Sequence, residues 1–296
     1  MTTGKEKKQN RVDNAVIMAA GLSSRFAPLS YEYPKALVEV KGEVLIERQI
    51  KQLQAVGIED ITIVVGYKKE AFEYLIEKFH VVLVENPEYM TRNNHSSLYY
   101  ARDRLTNTYI CSADNYFVEN VFEPFVEHAY YSVVFEEGKT DEWTIQTDES
   151  GLITQVQIGG EDSYVMLGHV FFSNEFSKKF VAILENIYHL PETKNSLWER
   201  IYADHIPDLS MFAKKYSQEV VFEFDSLDEL RTFDKTYWND TRSEILKDIS
   251  KTLNREEKEI VAIEPLKENS KTIGFEFSVH DRSYQYIYKT KVLAEK

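Results

Sequence analysis

One cysteine stands among 296 residues, Cys111, so neither an internal disulfide framework nor a cysteine-built zinc site can form. Its setting in Tyr109-Ile110-Cys111-Ser112 is that of a buried structural thiol. The seven histidines are scattered without metal-ligand spacing. His169, inside the apolar run Leu167 to Phe172, reads as a satisfied core histidine rather than a base. No stretch approaches the roughly eighteen uninterrupted apolar residues that a membrane helix needs, and Met1 to Asn14 is polar with no apolar signal-peptide core. The expected location is the cytoplasm. Positive charge is outnumbered, 35 Lys and Arg against 49 Asp and Glu, for a formal net charge of -14. That balance argues against nucleic-acid or anionic-membrane partners, which reward clustered basic residues. Two glycine patterns are also missing, the Gly-x-x-x-x-Gly-Lys-Ser/Thr phosphate loop and the Gly-x-Gly-x-x-Gly dinucleotide turn.

What is present is an alternation. Short apolar runs, Ala15 to Met18, Ile61 to Val65, Val81 to Val84 and Tyr109 to Ser112, have the length and β-branched content of buried strands. Between them lie amphipathic segments such as Val44 to Val56, where Leu45, Ile46, Gln49, Ile50 and Leu53 form one stripe and Gly57 supplies the stop. Strand and helix in alternation imply right-handed crossovers and an α/β, Rossmann-like, mainly parallel sheet flanked by helices. Four further segments, Ser132 to Glu136, Trp143 to Thr147, Ile153 to Ile158 and Tyr164 to Phe172, read as strands separated by polar turns that extend this into a mixed sheet. Helices are expected at about Glu175 to Tyr188 and Ser196 to His205, and Val220 to Phe224 is another strand. Ser226 and Glu229 then have capping-box spacing, which puts Asp225 at a strand-to-helix junction. The expected organisation is a disordered tail over 1–13, a main domain over 14–240 and a small α+β extension over 241–296. That extension has a polar helical run and a hairpin around His280-Asp281-Arg282.

The stretch from Ala19 to Ser30, followed by Pro34-Lys35-Ala36-Leu37, comes directly after the first strand. A glycine turn at a strand end offers backbone N–H groups to an anion, and Arg25 and Lys35 add two positive charges. In an acidic chain this is a local exception suited to a polyphosphate.

The Ala-Ala-Gly, small residue, Arg and later Pro-Lys pattern resembles the nucleotidyltransferases that activate small phosphorylated metabolites with CTP, UTP or GTP. The resemblance implies that Arg25 and Lys35 hold the triphosphate and the transferred α-phosphate, and that Ala20, Gly21 and Ser97 contact the nucleotide. Ser97 can equally be a helix-terminus residue. It also implies that Mg²⁺ is bound by Asp114, after the fourth strand run, and by Asp225. One or two carboxylates with water and phosphate oxygens satisfy that ion. No general base is needed, since a phosphate monoester is already ionised at neutral pH.

Hexose-1-phosphate members of the superfamily carry a second glycine where Ser23 stands and a later Glu-Lys-Pro, and neither occurs here. Residues 14–238 instead resemble the bacterial CTP:phosphocholine cytidylyltransferases, through Ala113 to Tyr116, Asp141-Glu142-Trp143 and Asn195 to Arg200. A quaternary ammonium donates no hydrogen bond and is held by aromatic faces and a nearby carboxylate. Trp143, Tyr116 and Trp198 are the candidate faces and Glu142 the candidate carboxylate, with Glu199 as an alternative. The expected partners are CTP and phosphocholine. Other amine phosphates or phosphonates, such as phosphoethanolamine and 2-aminoethylphosphonate, form the next reading, and a silent nucleotide-sensing subunit a third. The segment from Ile260 to Tyr288 resembles the opening strands of a choline-kinase-like small lobe, which implies a fused or partner kinase domain, and it reads equally as a small packing appendage.

Overall fold

The computed structural model of the chain describes residues 9–269 and 271–296. The tail expected over 1–13 lies outside the described residues as far as position 8, while Asn10–Arg11 pair antiparallel with Phe125–Val126. The chain folds as two compact units. One comprises the residues up to Gly21 together with Ile46–Phe222, and the other comprises Leu22–Leu45 together with Glu223–Lys296.

The first unit is built on one seven-stranded sheet. In chain order its strands are β1 (Asn14–Ala19), β2 (Ile61–Val65), β3 (Val82–Glu85), β4 (Thr108–Ser112), β5 (Tyr130–Thr147), β6 (Ile153–Phe172) and β7 (Phe212–Tyr216). In space the order is β7-β5-β6-β4-β1-β2-β3. β1 runs parallel to β2 and β4, β2 to β3, and β5 to β7, whereas β6 is antiparallel to both β5 and β4. The expected mixed, mainly parallel sheet therefore forms. Its central strands are covered on both faces, which is why Val16, Ile17, Ile63, Val64, Tyr109 and Cys111 are each at most 1% exposed. The helix Leu45–Ala55 lays Ile46, Ile50 and Leu53 into the core, and Asn174–Ile187, capped by Ser173, does so with Phe176, Phe180 and Leu184.

The four strands expected between Ser132 and Phe172 merge into two long ones. The turn at 148–152 joins these two, whereas the other two polar stretches are bulges inside one ladder, with left-handed backbone at Gly138 (φ +80°), Gly159 (φ +79°) and Asp162 (φ +49°) and register shifts at Glu136/Lys139 and Thr140/Trp143. The arm curls back on itself. Thr144 pairs with both Gln157 and Val165, and Ile145 with both Val156 and Tyr164.

The second unit carries the short turns Ser24–Phe26 and Lys35–Leu37, the helices Leu227–Phe233 and Glu244–Leu253, and an antiparallel sheet. The sheet's strands, β8 (Ile260–Glu268), β9 (Lys271–Val279), β10 (Arg282–Ile287) and β11 (Val292–Glu295), lie in sequence order. The hairpin around His280 forms as expected, with that residue left-handed at φ +51°. Leu227, Leu230, Leu246, Ile249, Ile260, Phe275 and Phe277 make the core. Buried Arg231 joins helix to sheet by donating to the carbonyl oxygens of Ile260 (2.6 Å) and Glu257 (2.8 Å).

Candidate active site

In an open parallel sheet, ligands gather beyond the carboxyl ends of the strands where the strand order reverses. Here that point falls between β1 and β4, because the chain passes from β1 outward to β2 and β3 and then returns to β1's other side. Ala20 and Gly21 follow β1 and the Asp114 turn follows β4, so the first unit brings these three residues to the ends of neighbouring strands. Gly21 is exposed, has no positive φ and has nothing within 4 Å of where a Cβ would be. The fold itself therefore does not require a glycine there, and the backbone of this position is open to its surroundings. The left-handed residue of this loop is Ser23, at φ +46°.

The Asp114 turn is held from three sides. Gln49, fully buried, donates its side-chain amide to the carbonyls of Ser112 (2.8 Å) and Asn115 (2.9 Å), the residues flanking Ala113-Asp114. Ala113 N–H donates to Met18 O at 3.2 Å. Gly168 lies so close that a Cβ there would sit 2.1 Å from Asn115 Oδ1 and 2.9 Å from Ser112 Cβ. The sequence signal for Gln49 was an amide on an otherwise apolar helix stripe.

Arg25, Lys35 and Asp225 come together in the second unit. The guanidinium of exposed Arg25 is 3.0 Å from Asp225 Oδ2, and the ammonium of Lys35, whose side chain is 4% exposed, is 3.8 Å from Oδ1. Lys35 also sits over the Phe26 ring at 5.6 Å. Asp225 is at the expected junction. The Ser226 hydroxyl accepts from Glu229 N–H, so the expected N-cap is present, while the Glu229 carboxylate answers one residue earlier than a capping box requires, accepting from the N–H of Asp225 rather than of Ser226.

Ser97 is buried on the helix His95–Tyr100. Asn86 Nδ2 donates to its Oγ at 3.2 Å and to Ser96 Oγ at 2.8 Å.

The residues expected to form an aromatic box differ in their surroundings. Trp198 is 1% exposed, stacked on Tyr131 with Phe172 and Phe180 against its edges, and is a core residue. Tyr116 is buried and its ring face carries the Arg48 guanidinium at 4.6 Å. Trp143 is half-buried on the curled arm, and Glu142 beside it is exposed. Glu199 differs. Half-buried beside Trp198, it accepts from Asn94 Nδ2 (3.1 Å) and from Tyr131 OH (3.3 Å), and burial lifts its pKa to about 7. No Lys, Arg or His among the described residues forms an ion pair with it. A desolvated carboxylate normally has a cation beside it. Asn94 and Tyr131 meet Glu199 only through the tertiary fold, so no local sequence pattern ties either of them to it.

His169 is fully buried, bonded to Ser132 Oγ at 3.0 Å, with its pKa pushed down to about 3 by burial. It stays neutral, as a core histidine does. Cys111 is buried and its thiol pKa is raised by desolvation.

Residues 15–153 match the model of the MobA-like NTP transferase domain. The chain is 39% identical to a 2-aminoethylphosphonate cytidylyltransferase of Lancefieldella rimae over 76% of its own length and 93% of that protein's. It is 33% identical to the choline-phosphate cytidylyltransferase of Streptococcus pneumoniae, over 76% of this chain and 99% of the relative. The chain belongs to the MobA-like nucleotidyltransferases, among their cytidylyltransferases. The solved structure of the Streptococcus pneumoniae CTP:phosphocholine cytidylyltransferase superimposes with a TM-score of 0.73, covering 77% of this chain and 99% of that one. An inositol-1-phosphate CTP transferase from T. maritima, 17% identical, shares the fold at a TM-score of 0.61. Among the described residues, this cytidylyltransferase has no helix long and apolar enough to cross a membrane.

Proposed function

We propose that this cytidylyltransferase transfers the cytidylyl group of CTP to a small phosphonate or phosphate that carries a primary ammonium, with 2-aminoethylphosphonate as the representative acceptor. The observation that carries the choice is Glu199, a desolvated carboxylate held by two neutral donors and without a cation of the chain's own among the described residues. An ammonium with N–H groups satisfies both the charge and the remaining lone pairs of such a carboxylate. A quaternary ammonium satisfies only the charge and relies on aromatic faces. Of the three proposed faces, Trp198 is in the core and Tyr116 is covered by Arg48. Phosphocholine is the second reading, favoured by half-buried Trp143.

In the reaction an acceptor oxygen attacks the α-phosphorus of CTP, that phosphorus–oxygen bond forms, and the bond to pyrophosphate breaks. Arg25 and Lys35 supply fixed positive charge to phosphate oxygens as charge develops on them. Ala20 and Gly21 offer main-chain contacts at the switch point, and Ser97 offers a contact to the base. The donors assigned to a metal, Asp114 and Asp225, are hard carboxylates suited to Mg²⁺, which when bound neutralises phosphate charge on either side of the scissile bond. Asp225 is 3.0 Å from the Arg25 guanidinium and 3.8 Å from the Lys35 ammonium, so a metal ion at this carboxylate would share it with both cations.

The test measures pyrophosphate release with CTP, UTP or GTP against 2-aminoethylphosphonate, phosphoethanolamine and phosphocholine. Release with CTP and a higher kcat/KM for the primary amines supports the proposal. Preference for phosphocholine reverses the acceptor assignment, and CTP binding without release under any pairing identifies a silent sensor. Asp114→Ala, on a turn between strands, is expected to abolish release while leaving the fold intact by circular dichroism.

A further inference from the structure

An asparagine just before a helix ordinarily turns its side chain back to cap its own helix. Asn94 precedes His95–Tyr100 and does not do so. Its Oδ1 instead accepts the N–H of Trp198 at 2.8 Å, one of the N–H groups left without a partner at the start of the helix Trp198–Asp204. That bond fixes the orientation of the amide, because a backbone N–H can face only an oxygen, and so it obliges Nδ2 to face and donate to Glu199 Oε2. The main-chain carbonyl of the same residue accepts the N–H of Ser97 at 2.9 Å. Its neighbours strengthen the connection. Asn93 N–H donates to Lys194 O at 3.1 Å, Asn93 Nδ2 to Asn195 O at 3.1 Å, and His95 Nδ1 is bonded to Ser196 O at 2.7 Å.

We infer that Asn94 is a positioning residue that aims the Glu199 carboxylate at the acceptor's ammonium, while its main chain takes part in the first turn of the helix that bears Ser97. The inference rests on the acceptor reading above.

The test is a double-mutant cycle on the full chain, with 2-aminoethylphosphonate and CTP as probes. Asn94→Asp keeps the acceptor for Trp198 N–H but sets an oxygen against the Glu199 oxygen. It is expected to raise the acceptor KM on the order of tenfold, the usual scale for a hydrogen bond to a charged group, with the CTP KM within about twofold. Glu199→Gln alone is expected to raise the acceptor KM similarly. In the pair N94D/E199Q the bond re-forms with reversed polarity, the amide introduced at position 199 donating to the carboxylate introduced at position 94, so the combined loss is expected to be smaller than the product of the two single losses. If the losses multiply, or if N94D leaves the acceptor KM unchanged or raises both KM values alike, the inference is overturned. If E199Q leaves the acceptor KM unchanged, the acceptor reading itself fails, whatever Asn94 does. Should N94D not fold, Asn94→Ser removes the same donor and reads out the same split between the two KM values.

Discussion

Arg25 and Asp225 meet at 3.0 Å although one follows the first strand of the chain and the other lies past residue 220. Lys35 approaches the opposite oxygen of the same carboxylate. A loop found from a short motif and a junction found from a capping pattern thus converge on one charge cluster.

That ion pair is open to water on the Arg25 side, and exposed pairs contribute roughly 0.2–1 kcal/mol. Arg25→Ala is therefore expected to shift stability by less than about 1 kcal/mol, while kcat for pyrophosphate release falls on the order of a hundredfold through loss of a charge aimed at the phosphates. Urea denaturation beside steady-state kinetics measures both. A stability loss matching the activity loss would make Arg25 a structural residue.

Gln49 presents a different balance. Its amide satisfies two carbonyls that bracket Asp114, and it is fully buried. Gln49→Leu keeps the apolar stripe but removes both donors, at a cost of about 1–3 kcal/mol for each carbonyl left unsatisfied. A lowered melting temperature together with a lowered kcat is expected. Full activity in a destabilised Q49L protein would show that the Asp114 turn does not depend on it.

Crowding tests the same turn from the other side. At Gly168 a Cβ would fall well inside van der Waals contact with Asn115 Oδ1, so Gly168→Ala must push that side chain away, and overpacking of this kind costs about 1–3 kcal/mol. Crystallography of G168A is expected to show Asn115 displaced, and kinetics to show reduced turnover. An unmoved Asn115 would contradict the close packing described.

The raised pKa of Glu199 makes two predictions with opposite signs. The folded chain holds a proton there up to about pH 7 that the unfolded chain releases in the ordinary carboxylate range, so this group lowers stability as pH rises through that window. Glu199→Gln removes the loss, and the melting-temperature advantage of E199Q over the natural chain is expected to grow between about pH 5 and pH 8. For function, the natural protein's acceptor KM should rise as pH falls below about 7, beyond whatever E199Q shows. The acceptor's own ionisation is common to both proteins and cancels in the comparison.

Trp143→Ala separates the two acceptor readings. If a quaternary ammonium rests on that ring, the phosphocholine KM rises far more than the CTP KM. If the acceptor is a primary amine held by Glu199, the 2-aminoethylphosphonate KM changes by less than about fivefold, the factor that corresponds to an exposed cation–π contact of around 0.5–1 kcal/mol.

The central sheet and the positions of Gly21, Asp114 and Asp225 at strand ends were legible because they rest on local patterns: uninterrupted apolar runs, a glycine turn and a capping box. The long arm was not. Gly138 and Gly159 look the same in a sequence whether they end strands or bulge within them, and only the partner strand decides. Trp198 was misread for a related reason, since Asn195 to Arg200 shows a helix start without revealing that Tyr131, Phe172 and Phe180 close over its ring. Contacts between distant segments, such as Asn94 with Glu199, have no local signature at all.

The doubled pairing of Thr144 and Ile145 bears on the ground that Trp143 stands on. With paired backbone on both flanks of the next two residues, the indole is carried by a fixed wall rather than a flap. On the phosphocholine reading, a headgroup resting on that ring would have no loop to immobilise, so little of the binding free energy would go into ordering the protein.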